Sequence, residues 1–96
     1  MLKIQAAGEA TVKVTFALPS DAVDGSVSVL GDFNGWDPTA HPLKKRSNGT
    51  RSVSVELPTG EYRFKYCTAD GEWFCDPQVA DTVYNEFNTP DSLLRV

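Results

Sequence analysis

Hydrophobic and polar residues alternate with a period of two through most of this chain. In residues 11–18, TVKVTFAL, Val12, Val14, Phe16 and Leu18 share one face and Lys13 and Thr15 the other. Residues 26–31, SVSVLG, put Val27 and Val29 together. In residues 51–57, RSVSVEL, Val53, Val55 and Leu57 oppose Ser52, Ser54 and Glu56. In residues 61–68, EYRFKYCT, Tyr62, Phe64 and Tyr66 oppose Arg63, Lys65 and Cys67. The tail SLLRV reads as a last strand. Each run predicts a β-strand with one buried and one wet face. No window sustains apolar residues at i, i+3, i+4 and i+7, so no amphipathic helix is predicted.

Turn chemistry separates the runs. Asp24-Gly25, Asn34-Gly35, Asn48-Gly49, Thr59-Gly60 and Asp70-Gly71 all lie between them. The six prolines fall at run ends or in loops, where a missing N–H costs little. Six or seven short strands at this spacing predict an all-β, antiparallel β-sandwich. A length of 96 residues makes one domain, 1–96, with residues 1–8 as an N-terminal arm or short strand. No repeat, low-complexity tract or linker interrupts it.

Composition narrows the functions. Thirteen acids against nine bases give a net charge of −4, a poor footprint for nucleic acid. Lys44, Lys45 and Arg46 form the only basic run and read as a solvated turn or strand edge. No apolar run approaches the ~18 residues that cross a bilayer, so no membrane role is expected. The opening MLKIQAAGEA lacks the continuous apolar segment of a secretory signal. Cys67 and Cys75 are too few for a disulfide scaffold and read as reduced thiols of a cytoplasmic protein.

Catalytic chemistry finds little support. His41 is the only histidine, in the Pro-bracketed loop TAHPL, and is expected to face solvent. Two cysteines and one histidine fall short of a zinc set. Asp32, Asp37, Asp70, Glu72 and Asp76 could be imagined as a glycosidase pair, but they sit in turns, where Asp commonly serves local hydrogen bonds. No catalytic residue, metal or cofactor is expected.

The aromatic residues say more. Phe16, Tyr62, Phe64 and Tyr66 fall in phase with buried faces. Trp36, at the end of GDFNGW, and Trp73, just past Asp70-Gly71, do not. An indole in a loop either caps the core or waits for a ligand. Hairpin register decides for Trp73. A three-residue loop, Ala69 to Gly71, puts Cys67 opposite Trp73 and Lys65 opposite Cys75, on the polar face. A two-residue Asp70-Gly71 loop sends Trp73 inward. On the first register the cysteines are diagonal neighbours, a long span for a disulfide. Exposed indoles beside a lysine suit sugar: aromatic rings cover the C–H face of a pyranose, and polar groups take its hydroxyls.

GDFNGWDP, LPTGEYRFKY, DGEWFCDP and the final NTPDSLLRV together resemble carbohydrate-binding module family 48. That is the early-set domain of isoamylases and glycogen-branching enzymes. The chain is also similar to the glycogen-binding domain of the AMP-activated protein kinase β subunit. The resemblance spans roughly residues 10–96. It implies an immunoglobulin-like early-set sandwich of about seven strands that binds α-1,4-glucans without catalysis. It implies that Trp36 and Trp73 stack on sugar and that Lys65 takes hydroxyls. In the segment before the last strand it assigns contacts to Phe87, Thr89 and Asp91, where kinase-type modules carry leucine, threonine and asparagine. This chain also lacks the glycines usual near that segment. Its Lys65-to-Trp73 spacing is one residue longer than in the kinase modules, which fits the three-residue loop. The expected partner is an α-glucan, with a glycoside hydrolase or regulatory protein as the candidate protein partner. The alternative is an immunoglobulin-like scaffold that has lost glycan binding. The presence of Trp36, Lys65 and Trp73 together favours the binder.

Overall fold

The computed structural model describes residues 2–22, 25–79 and 81–96. Asp24 of the expected Asp24-Gly25 turn lies outside the described residues. Nine strands are present among the described residues: β1 Leu2–Ala6, β2 Thr11–Pro19, β3 Val27–Gly31, β4 Lys44–Lys45, β5 Thr50–Pro58, β6 Glu61–Thr68, β7 Trp73–Phe74, β8 Thr82–Tyr84 and β9 Pro90–Arg95. One sheet runs β1-β2-β5-β4; the other runs β3-β6-β9-β8, with β7 also paired to β6. All pairings are antiparallel. The five long periodic runs became β2, β3, β5, β6 and β9. The extra strands are mostly two or three residues long, too short to carry a period.

The alternation works as read. In the β2–β5 register Val12, Val14 and Phe16 face Leu57, Val55 and Val53, so both strands turn the same apolar set inward. Val14, Phe16, Leu18, Val29, Phe64, Tyr66 and Leu94 form the buried centre. Phe16 of one sheet meets Phe64 of the other with ring centroids 5.1 Å apart in an edge contact. Phe33 enters from the loop after β3 and stacks on Phe16 at 5.4 Å. Tyr62 is only half-buried, and its hydroxyl donates to the Pro58 carbonyl at 2.7 Å. That contact pins the β5–β6 turn, as tyrosine corners do in such sandwiches.

The basic run behaves as a solvated edge. Lys44 and Lys45 form the exposed edge strand β4, where charge discourages pairing with another chain. Arg51 departs from its neighbours: it is buried, and its guanidinium donates to the carbonyls of Ser20 and Gly25.

Gly31 lets the second sheet carry its loop close. A Cβ there would lie 2.5 Å from the Arg63 carbonyl oxygen and 2.7 Å from the Phe33 ring. Only glycine allows β3 to end against β6 in this way.

Candidate functional site

Two loops and the outward face of β6 build one cleft. The first loop, residues 32–36, leaves β3 and is folded by the side chain of Asn34. Its Oδ1 accepts from the N–H groups of Gly31 at 3.0 Å and Trp36 at 3.2 Å. Its Nδ2 donates to the Val29 carbonyl at 3.0 Å and meets His41 Nδ1 at 2.9 Å. This corrects the reading of His41. The ring is half-buried and tilted against Phe33, with Nδ1 in contact with Asn34, because the loop needs a partner for the Asn34 amide. The clip holds Trp36 at φ 59°, in the left-handed region.

The second component is the β6–β7 hairpin. Cys67 pairs with Trp73 and Tyr66 with Phe74, the register of the three-residue loop. Gly71 N–H donates to the Thr68 carbonyl at 3.0 Å, and Thr68 N–H to the Glu72 carbonyl at 2.9 Å. Gly71 takes φ 85°, the left-handed position of a three-residue hairpin loop. Trp73 therefore points outward and is 50% exposed, while Phe74 turns in against Tyr66 at 5.4 Å.

The two indoles meet. Their ring centroids lie 6.5 Å apart with planes tilted by 35°. Trp36 is half-buried and its indole N–H donates to Asp32 Oδ1 at 3.2 Å.

The third component is residues 85–91, organised by Asn85. Its Oδ1 accepts from the N–H groups of Phe87 at 2.9 Å and Thr89 at 3.3 Å. Its Nδ2 donates to Thr89 Oγ1 at 2.8 Å and to Asp91 Oδ1 at 3.0 Å. Asn88 takes φ 59°, the conformation glycine favours, so the segment turns without the glycine the resemblance led us to expect. The loop leaves Phe87 78% exposed at the cleft rim.

Lys65 and Asp91 differ from expectation. Lys65 lies on the polar face but is only 9% exposed, and Asp91 only 3%. The Lys65 ammonium donates to Thr89 Oγ1 at 3.2 Å and lies 3.5 Å from Asp91 Oδ1. Burying a cation without partners is costly, and these two groups satisfy it. Asp91, read as a hydroxyl acceptor, is instead largely engaged inside the protein. All six residues singled out from the sequence, Trp36, Lys65, Trp73, Phe87, Thr89 and Asp91, line one open cleft of about 960 Å³.

The same cleft is lined by Asp32, Arg63, Cys75, Asn85 and Glu86, which sequence reasoning did not select. Asp32 was seen only as a turn acid. Asn85 carried no signal, because its role depends on a loop shape that alternation does not describe. Arg63 could have been found, since it shares the Lys65 face of β6.

The other acids divide. Asp37 accepts from Thr39 N–H at 2.8 Å and Thr39 Oγ1 at 2.7 Å, and these bonds hold its carboxyl below the ordinary value. Asp76 is no simple turn acid: it is 2% exposed and accepts the Tyr66 hydroxyl proton at 2.7 Å. Burial, with Asp76 beside it, pushes the Tyr66 hydroxyl well above its ordinary value. Both cysteines are free, and burial raises the Cys67 thiol, which weakens it as a nucleophile.

A small all-β sandwich with paired indoles over a polar-rimmed cleft defines a carbohydrate-binding module. Residues 12–96 match the family described as the glycogen recognition site of AMP-activated protein kinase, and the chain belongs to that family. Over 47 residues it is 47% identical to the 1,4-alpha-glucan branching enzyme GlgB 2 of Xanthomonas campestris pv. campestris (strain 8004), covering 47% of this chain and 6% of that enzyme. It is 41% identical over 51 residues to Protein PTST homolog 2, chloroplastic, of Arabidopsis thaliana, covering 53% of this chain and 9% of that protein. It is 44% identical over 59 residues to GlgB 2 of Rhizobium johnstonii, covering 59% of this chain and 8% of that enzyme. The chain thus spans less than a tenth of the length of these relatives.

Proposed function

We propose that the cleft holds a short run of α-1,4-linked glucose units and performs no chemistry on them. The observation that carries this reading is the pairing of Trp36 and Trp73 at 6.5 Å and 35°. An α-1,4-linked chain turns at each linkage, so two adjacent sugar faces are met by two tilted rings better than by a flat pair. Each ring covers C–H surface and gains by excluding water. Phe87 adds apolar contact at the rim. Lys65, with two of its N–H directions spent on Thr89 and Asp91, keeps one for a hydroxyl. Thr89 is exposed, but its hydroxyl donates to Asn85 Oδ1 and accepts from Lys65 and Asn85, so it serves to hold the loop and Lys65. Asp91 then serves mainly to hold Lys65 and Asn85.

A non-catalytic role is supported by how two of the cleft's three acids are used, which leaves Glu86 without a second uncommitted acid to pair with. Asp32 is bonded to Trp36 and to the Arg63 N–H, and Asp91 to Asn85 and Lys65. Neither is set up as the free acid or nucleophile of a glycosidase pair. The relatives are far longer, and two of them are glucan branching enzymes. We read this domain as a glucan anchor, the whole of it, 1–96, one unit, serving a glycoside hydrolase or a regulatory protein. The free thiols suit the cytoplasm.

Affinity electrophoresis in a glycogen gel tests this. The protein should be retarded. Trp36→Ala and Trp73→Ala should each run as if glycogen were absent while keeping the native fold. Unretarded migration of the folded parent protein would point instead to a scaffold without glycan binding.

A further inference from the structure

Asp32 ties the first loop of the cleft to its central strand. Its own N–H donates to the Arg63 carbonyl at 3.0 Å. Its Oδ2 accepts the Arg63 N–H at 2.9 Å, and its Oδ1 accepts the Trp36 indole N–H at 3.2 Å. One carboxylate therefore fixes the edge of an indole to the backbone of β6.

We propose that Asp32 is a positioning residue for sugar binding: it sets the plane of the Trp36 ring against β6 and occupies the indole N–H. The inference rests on the glucan reading of the cleft. Two things orient an indole, the direction of its Cα–Cβ bond and its two side-chain torsions. The Asn34 clip fixes the first by holding Trp36 at φ 59°. The Asp32 bond fixes the second. Without it the ring is free to turn about its torsions, and the 35° tilt against Trp73 is lost. A consequence concerns specificity. Trp36 gives the sugar an apolar face and no hydrogen bond, so hydroxyl recognition falls to Lys65. The rival reading is that Asp32 itself accepts a sugar hydroxyl.

A double-mutant cycle on the full chain, titrated with maltoheptaose by calorimetry, separates the two. Asp32→Ala should weaken binding about three- to tenfold, the size of one hydrogen bond's effect. Trp36→Phe keeps a ring face and removes the N–H. Adding Asp32→Ala to Trp36→Phe should cost less than about twofold more, because the contact is already gone. An equal loss in both backgrounds would overturn the proposal, leaving Asp32 to act on the sugar or through its Arg63 bond alone. A second readout needs no ligand. In unliganded protein the Trp36 indole proton, identified by its absence in Trp36→Phe, should exchange faster with solvent in Asp32→Ala. The Trp73 indole proton should be unaffected. Unchanged Trp36 exchange overturns the proposal. If the parent protein binds no glucan yet Trp36 exchange responds, the glucan reading fails and the Asp32–Trp36 link stands. Should Asp32→Ala not fold, Asp32→Asn has one carbonyl for two donors and should shift exchange in the same direction.

Discussion

Trp36 at φ 59° is a non-glycine residue in a conformation costing about 1–3 kcal/mol, and such strain persists only where surrounding bonds enforce it. Here Asn34 and Asp32 enforce it, at the backbone and at the ring edge. Tyr66 shows a second residue-scale device. Its hydroxyl reaches the buried Asp76 at 2.7 Å from the end of an otherwise apolar side chain. Tyr66→Phe should destabilise the fold by about 1–3 kcal/mol, because it leaves a buried carboxylate short of a donor; urea unfolding at neutral pH measures this. The same group predicts a pH effect. Its folded value is raised above the ordinary 10.0, so its contribution is complete below about pH 10 and is lost as pH rises further. Stability should therefore fall on the alkaline side in the parent protein and fall less in Tyr66→Phe. Residue types alone conveyed part of this. Trp36 and Trp73 stood out because they broke phase with the buried faces. Asp76 did not stand out, because a turn acid and a buried acceptor look alike beside proline.

Among the elements, the strands were legible and the loops were not. Period-two alternation marks β2, β3, β5, β6 and β9 because each has one wet and one dry face. The β6–β7 register needed one further fact, the left-handed Gly71, which selects the three-residue loop over the two-residue one. The segments 32–36 and 85–91 are held by side-chain bonds reaching strands far along the chain. Arg63 to Asp32 spans 31 residues and Lys65 to Thr89 spans 24. No local pattern records such pairings. Asn85 escapes for another reason: its bonds stay within six residues and follow a loop shape that has no period. Asn85→Ala removes the acceptor for two backbone N–H groups and the donor to Thr89 and Asp91. We expect it to loosen the Phe87 loop and weaken maltoheptaose binding about tenfold, with a smaller effect on thermal stability. Amide exchange confined to residues 85–91, alongside calorimetry, checks it; exchange rising across the whole sandwich would contradict it.

At the scale of the whole molecule, the sandwich is a support. One face of the β6 sheet closes the core through Phe64, Tyr66 and Leu94, and the other carries the cleft through Arg63, Lys65 and Asp91. Phe16 sits at the centre of the core, fully buried and in contact with both Phe33 and Phe64. Phe16→Ala should cost about 3–5 kcal/mol, enough to unfold a domain of ordinary stability at elevated temperature; a thermal melt reads it. The sandwich was evident in the sequence because burial imposes periodicity. The cleft was evident only through family resemblance and two out-of-phase indoles, because a binding surface imposes none. Titrating the full chain with maltoheptaose, with tryptophan emission as the signal, bears on that surface without intermediaries. The paired indoles predict a saturable change with a dissociation constant between about a micromolar and a millimolar, abolished by Trp36→Ala or Trp73→Ala in protein that still melts cooperatively. A flat titration of folded protein, or full affinity in both variants, would contradict the assignment.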